Sequence, residues 1–217
     1  MTRHFFNELE SLKRDILSMG GLVESAVAQA TNAFLTPSAE HTDQIVDGDA
    51  EVNALELRIE EECLKVLALY GPTAKDLRFV VAVFKITNDL ERIADLAVNI
   101  AERAKGAALE GVGPMGQDVR EMSDRVQRMV RGALDAFVSL DAEAAQNILK
   151  ADDRVDDLLR DVYEAQAAAV TGGEVDFKAA LRVLSFAKYL ERIADHSTNI
   201  AEDVIYLASG DVVKHQY

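Results

Sequence analysis

Apolar residues recur along this chain at alternating spacings of three and four. Between positions 73 and 107 the series is Phe79, Val83, Ile86, Leu90, Ile93, Ala97, Ile100 and Ala104. Between 175 and 209 it is Val183, Phe186, Leu190, Ile193, Ile200, Val204 and Leu207, with Ser197 in the place of Ala97. That period keeps one face of an α-helix apolar, and here it extends into a coiled-coil-like seam. Breaks fall at Pro37, at Gly71-Pro72, between Gly111 and Pro114, at Leu140-Asp141 and at Thr171-Gly172-Gly173. The pattern predicts six helices, roughly 4–35, 39–70, 73–107, 115–139, 141–170 and 175–209. Each segment is rich in Ala, Leu, Glu, Lys, Arg and Met, the strong helix formers. No stretch alternates long enough to predict a sheet. A helix of about 30 residues is about 45 Å long, and long helices on short connections pack as antiparallel bundles.

The helices also repeat. Leu90-Glu91-Arg92-Ile93-Ala94-Asp95 returns one hundred residues later as Leu190-Glu191-Arg192-Ile193-Ala194-Asp195, and Asn99-Ile100-Ala101-Glu102 returns as Asn199-Ile200-Ala201-Glu202. Upstream the spacing becomes one hundred and three, pairing Met19 with Met122, Ala33-Phe34 with Ala136-Phe137, Asp49 with Asp152 and Leu55 with Leu158. A shorter connection between the second and third helices of the second half accounts for the change. The expected fold is therefore all-α, two tandem, repeat-related antiparallel three-helix bundles of six long helices. Residues 1–108 form the first bundle and 115–217 the second, with the boundary between Lys105 and Gly116.

Composition narrows the function. The chain has 217 residues, one cysteine and a formal net charge of -15. That length builds a core without disulfides or a structural metal. Cys63 has no partner for a disulfide or a CxxC site, which fits a reducing compartment, so a cytoplasmic location is expected. The acidity argues against nucleic acid or an anionic lipid surface as partner. The N-terminus shows no signal-peptide h-region. The longest uncharged run, Ser25 to Ala39, is too short and too polar for membrane insertion.

The acidic residues are not scattered. At 100° per residue Glu91, Asp95, Asn99 and Glu102 fall in one stripe, well over 90° from the centre of the apolar seam. The stripe is thus expected to face away from the bundle's own core. Glu191, Asp195, Asn199 and Glu202 repeat it. Asp49, Asn53, Glu56 and Glu60 form another on the second helix, matched by Asp152 and Asp156 on the fifth. Two readings stand. A solvated acidic face is the ordinary fate of such runs. Against it, like charges four apart destabilise a helix, with Arg92 and Arg192 offsetting part of the cost. Carboxylates four apart, facing another pair on a neighbouring helix, supply the oxygens that hard cations need. His196 adjoins Asp195 but points about 100° away, as a surface histidine.

Catalytic signatures are missing. A ferritin-like di-iron site needs Glu-x-x-His with ligands aimed into the bundle, and no Glu here precedes a His by three. The chain has no Gly-rich phosphate loop, GxSxG or HExxH. Cys63 reads as a small buried hydrophobe. His4, His41 and His215 lie near ends or loops.

Several separated signatures resemble the PhoU family of phosphate-transport regulators. Phe6-Asn7-Glu8-Leu9 leads into Met19-Gly20-Gly21. Asp47-Gly48-Asp49 precedes Val52-Asn53. Pro72-Thr73-Ala74-Lys75-Asp76-Leu77-Arg78 opens the third helix, and Leu-Glu-Arg-Ile-Ala-Asp occurs twice. The likeness runs from Phe6 to about Tyr206. It implies two related three-helix bundles and a cytoplasmic negative regulator of a phosphate starvation response. The partners it implies are the ATPase subunit of a phosphate ABC transporter and the sensor histidine kinase of a phosphate two-component system, with a homodimer as the oligomer. It also implies metal ions, divalent or trivalent (Mg, Mn, Fe, Ca or Zn), on (E/D)xxxD motifs. These map onto Asp49 and Asn53, Glu91 and Asp95, Asp152 and Asp156, and Glu191 and Asp195, with Asn99 and Asn199 as further ligands. Asn53 departs from the motif, so the first site is expected to bind metal more weakly.

Three classes of function remain open. One is a non-enzymatic adaptor with carboxylate metal sites. The second is a helical interaction scaffold with empty stripes. The third is a metal-dependent di-iron-type enzyme. With this charge and no phosphate loop, an adaptor is expected to read a transporter's conformation by protein contact. Apolar residues flanking the acidic stripe, Val80, Phe84 and Val98, are expected either to cover another helix or to form a dimer or partner surface.

Overall fold

The computed structural model describes residues 3–36, 42–110, 112 and 115–210, which form six α-helices. These are α1 (Arg3–Leu35), α2 (Thr42–Tyr70), α3 (Ala74–Glu110), α4 (Gln117–Ser139), α5 (Ala142–Thr171) and α6 (Phe177–Ser209). Pro37, His41, Pro114 and His215 lie outside the described residues. Each predicted segment is a helix within a few residues at either end. The largest difference is that α3 continues through Gly106 to Glu110.

Short turns reverse the chain, and local chemistry explains them. At the α4–α5 corner Leu140 takes a left-handed conformation (φ 53°), and Asp141 caps α5 by accepting from the amides of Glu143 and Ala144. Asp176 caps α6 through the Ala179 amide, and Gly210 ends it at φ 86°. Gly71, at φ 51°, lets the chain turn before Pro72 and α3. Contacts confirm antiparallel order. Lys65 near the end of α2 meets Glu8 near the start of α1, and the Cys63 thiol lies 3.8 Å from the Val80 carbonyl at the start of α3.

The two three-helix units are not separate. One core cluster draws on all six helices. Helices α3 and α6 pack against each other as extensively as helices within a unit, and α1 touches α4. Phe34 of α1 stacks on Phe186 of α6 at 4.1 Å between ring centres, both rings fully buried. Gly20 of α1 lies so close to Leu134 of α4 that an added Cβ would stand 2.7 Å from its Cδ2. This packing buries α3 beyond its predicted seam. Ala82, Thr87, Ala94, Leu96 and Ala101 are buried as well. Val80 also belongs to the core, Val98 is half-buried against it, and Phe84 stays 37% exposed. Of the predicted flank residues, Val80 therefore covers its own fold.

Candidate functional site: two carboxylate clusters

Helices α2 and α3 bring the first set of predicted acids together. From α2 come Asp49, Asn53, Glu56 and Glu60, and from α3 Glu91 and Asp95. Antiparallel packing sets the stripes side by side, so that Asp49 and Glu56 act electrostatically on Glu91 and Asp95. Burial, then the repulsion of these neighbours, raises the pKa of Asp49, Glu56 and Glu91 above the ordinary range. Asn53 Nδ2 donates to Asp49 Oδ2 at 2.9 Å and opposes the shift at Asp49. Arg92 stands 3.3 Å from Glu91 Oε2 and 3.5 Å from Asp95 Oδ2. Beside Asp49 a small cavity opens between α1, α2 and α3, bounded also by Ser25, Gln29, Val52 and Val98.

Helices α5 and α6 repeat the arrangement with Asp152, Asp156, Glu191 and Asp195. Here the charge is less compensated. Burial and the repulsion of Asp195, Asp156, Asp153 and Glu191 push Asp152 from its ordinary 3.8 up to about 7. Asp156 and Asp195 are raised for the same reasons. Lys188 donates to Glu191 Oε1 at 2.5 Å. The Asp in place of Asn53 is the chemical difference between the halves. An amide in that position relieves a neighbouring carboxylate, and a second carboxylate strains it.

The stripes stay out of the apolar core, as expected, but they are largely shielded from water. The side chains of Glu91 and Glu191 are only 15% and 13% exposed. The reason is that α2 and α5 lie over the flanks of α3 and α6, so that the stripe falls in the groove between helices. Asp156 and Asp195 alone of the eight principal residues remain exposed. Among the described residues four buried carboxylate oxygens accept no hydrogen bond, Asp49 Oδ1, Glu91 Oε2, Asp152 Oδ1 and Glu191 Oε2, and of these Glu91 Oε2 has only its ion pair with Arg92. They occupy repeat-related positions, two in each cluster. An unpartnered buried carboxylate oxygen is costly, and a hard cation is the chemistry that satisfies it. The donor set therefore fits such an ion, although no three acidic, histidine or cysteine side chains among the described residues already converge on one.

The outer residues of the stripes go elsewhere. Asn99 Nδ2 donates to the Asp95 backbone carbonyl at 2.7 Å. Asn199 Nδ2 donates to Asp89 Oδ1 at 3.1 Å, across the α3–α6 contact. Glu102 is exposed and Glu202 half-buried. His196 is not a surface histidine, because its Nδ1 lies 2.8 Å from Asp89 Oδ1 and it is held between the halves. The buried Asp203 pairs with Lys85 at 2.7 Å across the same contact. Asp89 and Lys85 are residues that sequence reasoning missed. Their repeat equivalents are Tyr189 and Ser185, so the break in the repeat was the available signal. Cys63 is fully buried, as expected for a small hydrophobe.

Comparison with known proteins matches this architecture. A family model described as the PhoU domain matches residues 16–104 and again residues 119–204. The phosphate-specific transport system accessory protein PhoU homolog of Pseudomonas aeruginosa is 40% identical over 99% of this chain and 89% of its own length. The corresponding homolog of Aquifex aeolicus is 37% identical over 98% of this chain and 96% of its own. The crystal structure of PhoU from Pseudomonas aeruginosa superposes with a TM-score of 0.92 at 38% identity, covering 95% of this chain and all of that one.

Proposed function

The chain belongs to the PhoU family, and from that premise we propose that it is a non-enzymatic negative regulator of phosphate uptake and the phosphate starvation response. It links the ATPase subunit of a phosphate ABC transporter to the sensor histidine kinase of the pathway. It works in the cytoplasm, as a homodimer, and carries metal ions in its two carboxylate clusters. The observation that carries the regulatory reading is likeness over nearly the full length to proteins named as transport accessories. No helix among the described residues is long and apolar enough to cross a membrane, which accords with an accessory that reaches a transporter by protein contact.

Support for the metal comes from the orphaned oxygens, paired at equivalent places in both halves. Asp49, Glu91 and Asp95 would hold an ion in the first cluster, and Asp152, Asp156, Glu191 and Asp195 in the second. The ion would neutralise carboxylates that otherwise repel one another across the interhelical groove. Hydrogen bonding and ion pairing favour a second reading, a metal-free scaffold, at one point each: Lys188 on Glu191 and Arg92 beside Glu91 already supply positive charge.

Two measurements test the proposal. Co-purification with the transporter ATPase is expected to depend on phosphate supply, and no association at any phosphate level would overturn the adaptor role. Elemental analysis after purification without chelator is expected to find metal that is lost when Glu191 and Asp195 become Gln and Asn. Equal metal content in the variant would defeat the site assignment.

A further inference from the structure

Helix α2 carries a second seam, on its outer side. Ala50, Ala54, Leu57, Glu61, Leu64 and Ala68 follow one another at spacings of four and three, and all six are exposed. Leu57 is 63% and Leu64 58% exposed. This is the repeat by which one helix packs along another, with leucines in the middle and alanines that let a second backbone come close. The chain's own repeat supplies the control. On α5 the equivalent positions are Asp153, Asp157, Arg160, Glu164, Ala167 and Thr171, a face built for water. Two helices with the same internal role therefore differ in what they present outward. An apolar stripe costs solubility and is spared on the twin, so it calls for an occupant.

Charge decides what kind of occupant fits. Glu61 sits in the middle of the seam. Glu51 lies on one border and Glu60 on the other. The basic residues of the border are already engaged, Arg58 with Asp15 at 2.8 Å and Lys65 with Glu62 and Glu8 at 3.0 and 3.3 Å. A second copy would set Glu61 into another acidic seam, so a homodimer formed elsewhere on the chain leaves this face open. We propose that this face of α2 docks an amphipathic helix of a different protein, leucine-rich along its seam and carrying Lys or Arg opposite Glu61. The surface goes beyond the adaptor reading, which names partners and assigns them no place on the fold.

The test uses the full chain, metal-free, and two labelled synthetic helices of about 20 residues, long enough to span Ala50 to Ala68. Both carry leucines at the seam positions, one with Lys and one with Glu opposite Glu61. Fluorescence anisotropy is expected to show binding of the Lys peptide and a loss of at least about tenfold with Leu57→Ser/Leu64→Ser, whose exposed side chains leave the fold intact by circular dichroism. Glu164→Ser on the twin face is expected to change nothing. Glu61→Lys is expected to exchange the preference, favouring the Glu peptide. Equal binding by the Leu57→Ser/Leu64→Ser variant, or no binding of either peptide, overturns the proposal. A dimer in sedimentation that vanishes in the same variant would name a second copy as the occupant and also overturn it. Co-purification with the transporter ATPase through another surface would survive any of these results, so the two readings fail separately.

Discussion

Replacing Asp152 by Asn tests the electrostatics of the second cluster directly. Asp152 is raised in the folded chain from 3.8 to about 7. This is an acid whose folded pKa exceeds its unfolded value, so the native state keeps a proton that the unfolded chain has released. Stability is therefore lost as pH rises from about 4 to about 7, and above pH 7 the whole penalty is present. A shift of this size sets a ceiling of about 4 kcal/mol at 1.36 kcal/mol per tenfold in proton affinity. Asp152 is only half-buried and its exposed neighbours Asp156 and Asp195 are screened by water, which brings the expected penalty to about 1–2 kcal/mol. Asn removes the charge and keeps the shape, and the Asn53–Asp49 pair shows that an amide beside a carboxylate suits this groove. Asp152→Asn is expected to stabilise the metal-free protein at pH 8 by about 1–2 kcal/mol, or about 2–8 °C in melting temperature for a chain of this size. The gain shrinks toward zero as pH falls to about 4. Urea titrations in chelator from pH 4.5 to pH 8 measure it. A gain that ignores pH, or a loss at pH 8, would refute the reasoning.

Two further predictions concern the core. Phe186→Ala removes a fully buried ring stacked on Phe34 and is expected to cost about 3–5 kcal/mol in urea unfolding. A double-mutant cycle with Phe34→Ala should return a coupling of about 0.5–1.5 kcal/mol, and strict additivity would mean that the stack does not tie the halves together. Burial and the nearby Glu60 and Glu62 push the Cys63 thiol up to about 12. A thiol reagent at pH 8 is therefore expected to leave it untouched in the folded chain and to label it in urea, and rapid labelling without denaturant would contradict that burial.

The carboxylate pairs show how far a sequence reaches. Their membership was legible, because positions four apart on a helix share a face whatever surrounds them. Their burial was not. The angle from the apolar seam placed Glu91 and Glu191 outside, since helical geometry describes one helix and knows nothing of a neighbour lying over its flank. The packing of α2 and α5 put these side chains in a groove and left one oxygen of each without a hydrogen-bond partner. Asn99 and Asn199 show the same limit. Their stripe positions are equivalent, yet one turns back to its own backbone and the other crosses to Asp89.

By itself the sequence determined the six helices, their two-fold repeat and the acids that belong together, because each follows from local periodicity and from self-comparison. Only the tertiary structure decided how the halves join. The α3–α6 contact depends on side chains that break the repeat, Lys85 with Asp203 and Asp89 with His196, and on Phe34 reaching Phe186 from the other half. Such pairs are far apart along the chain and carry no period. Their meeting follows from the packing of one seam against another, which no single helix encodes.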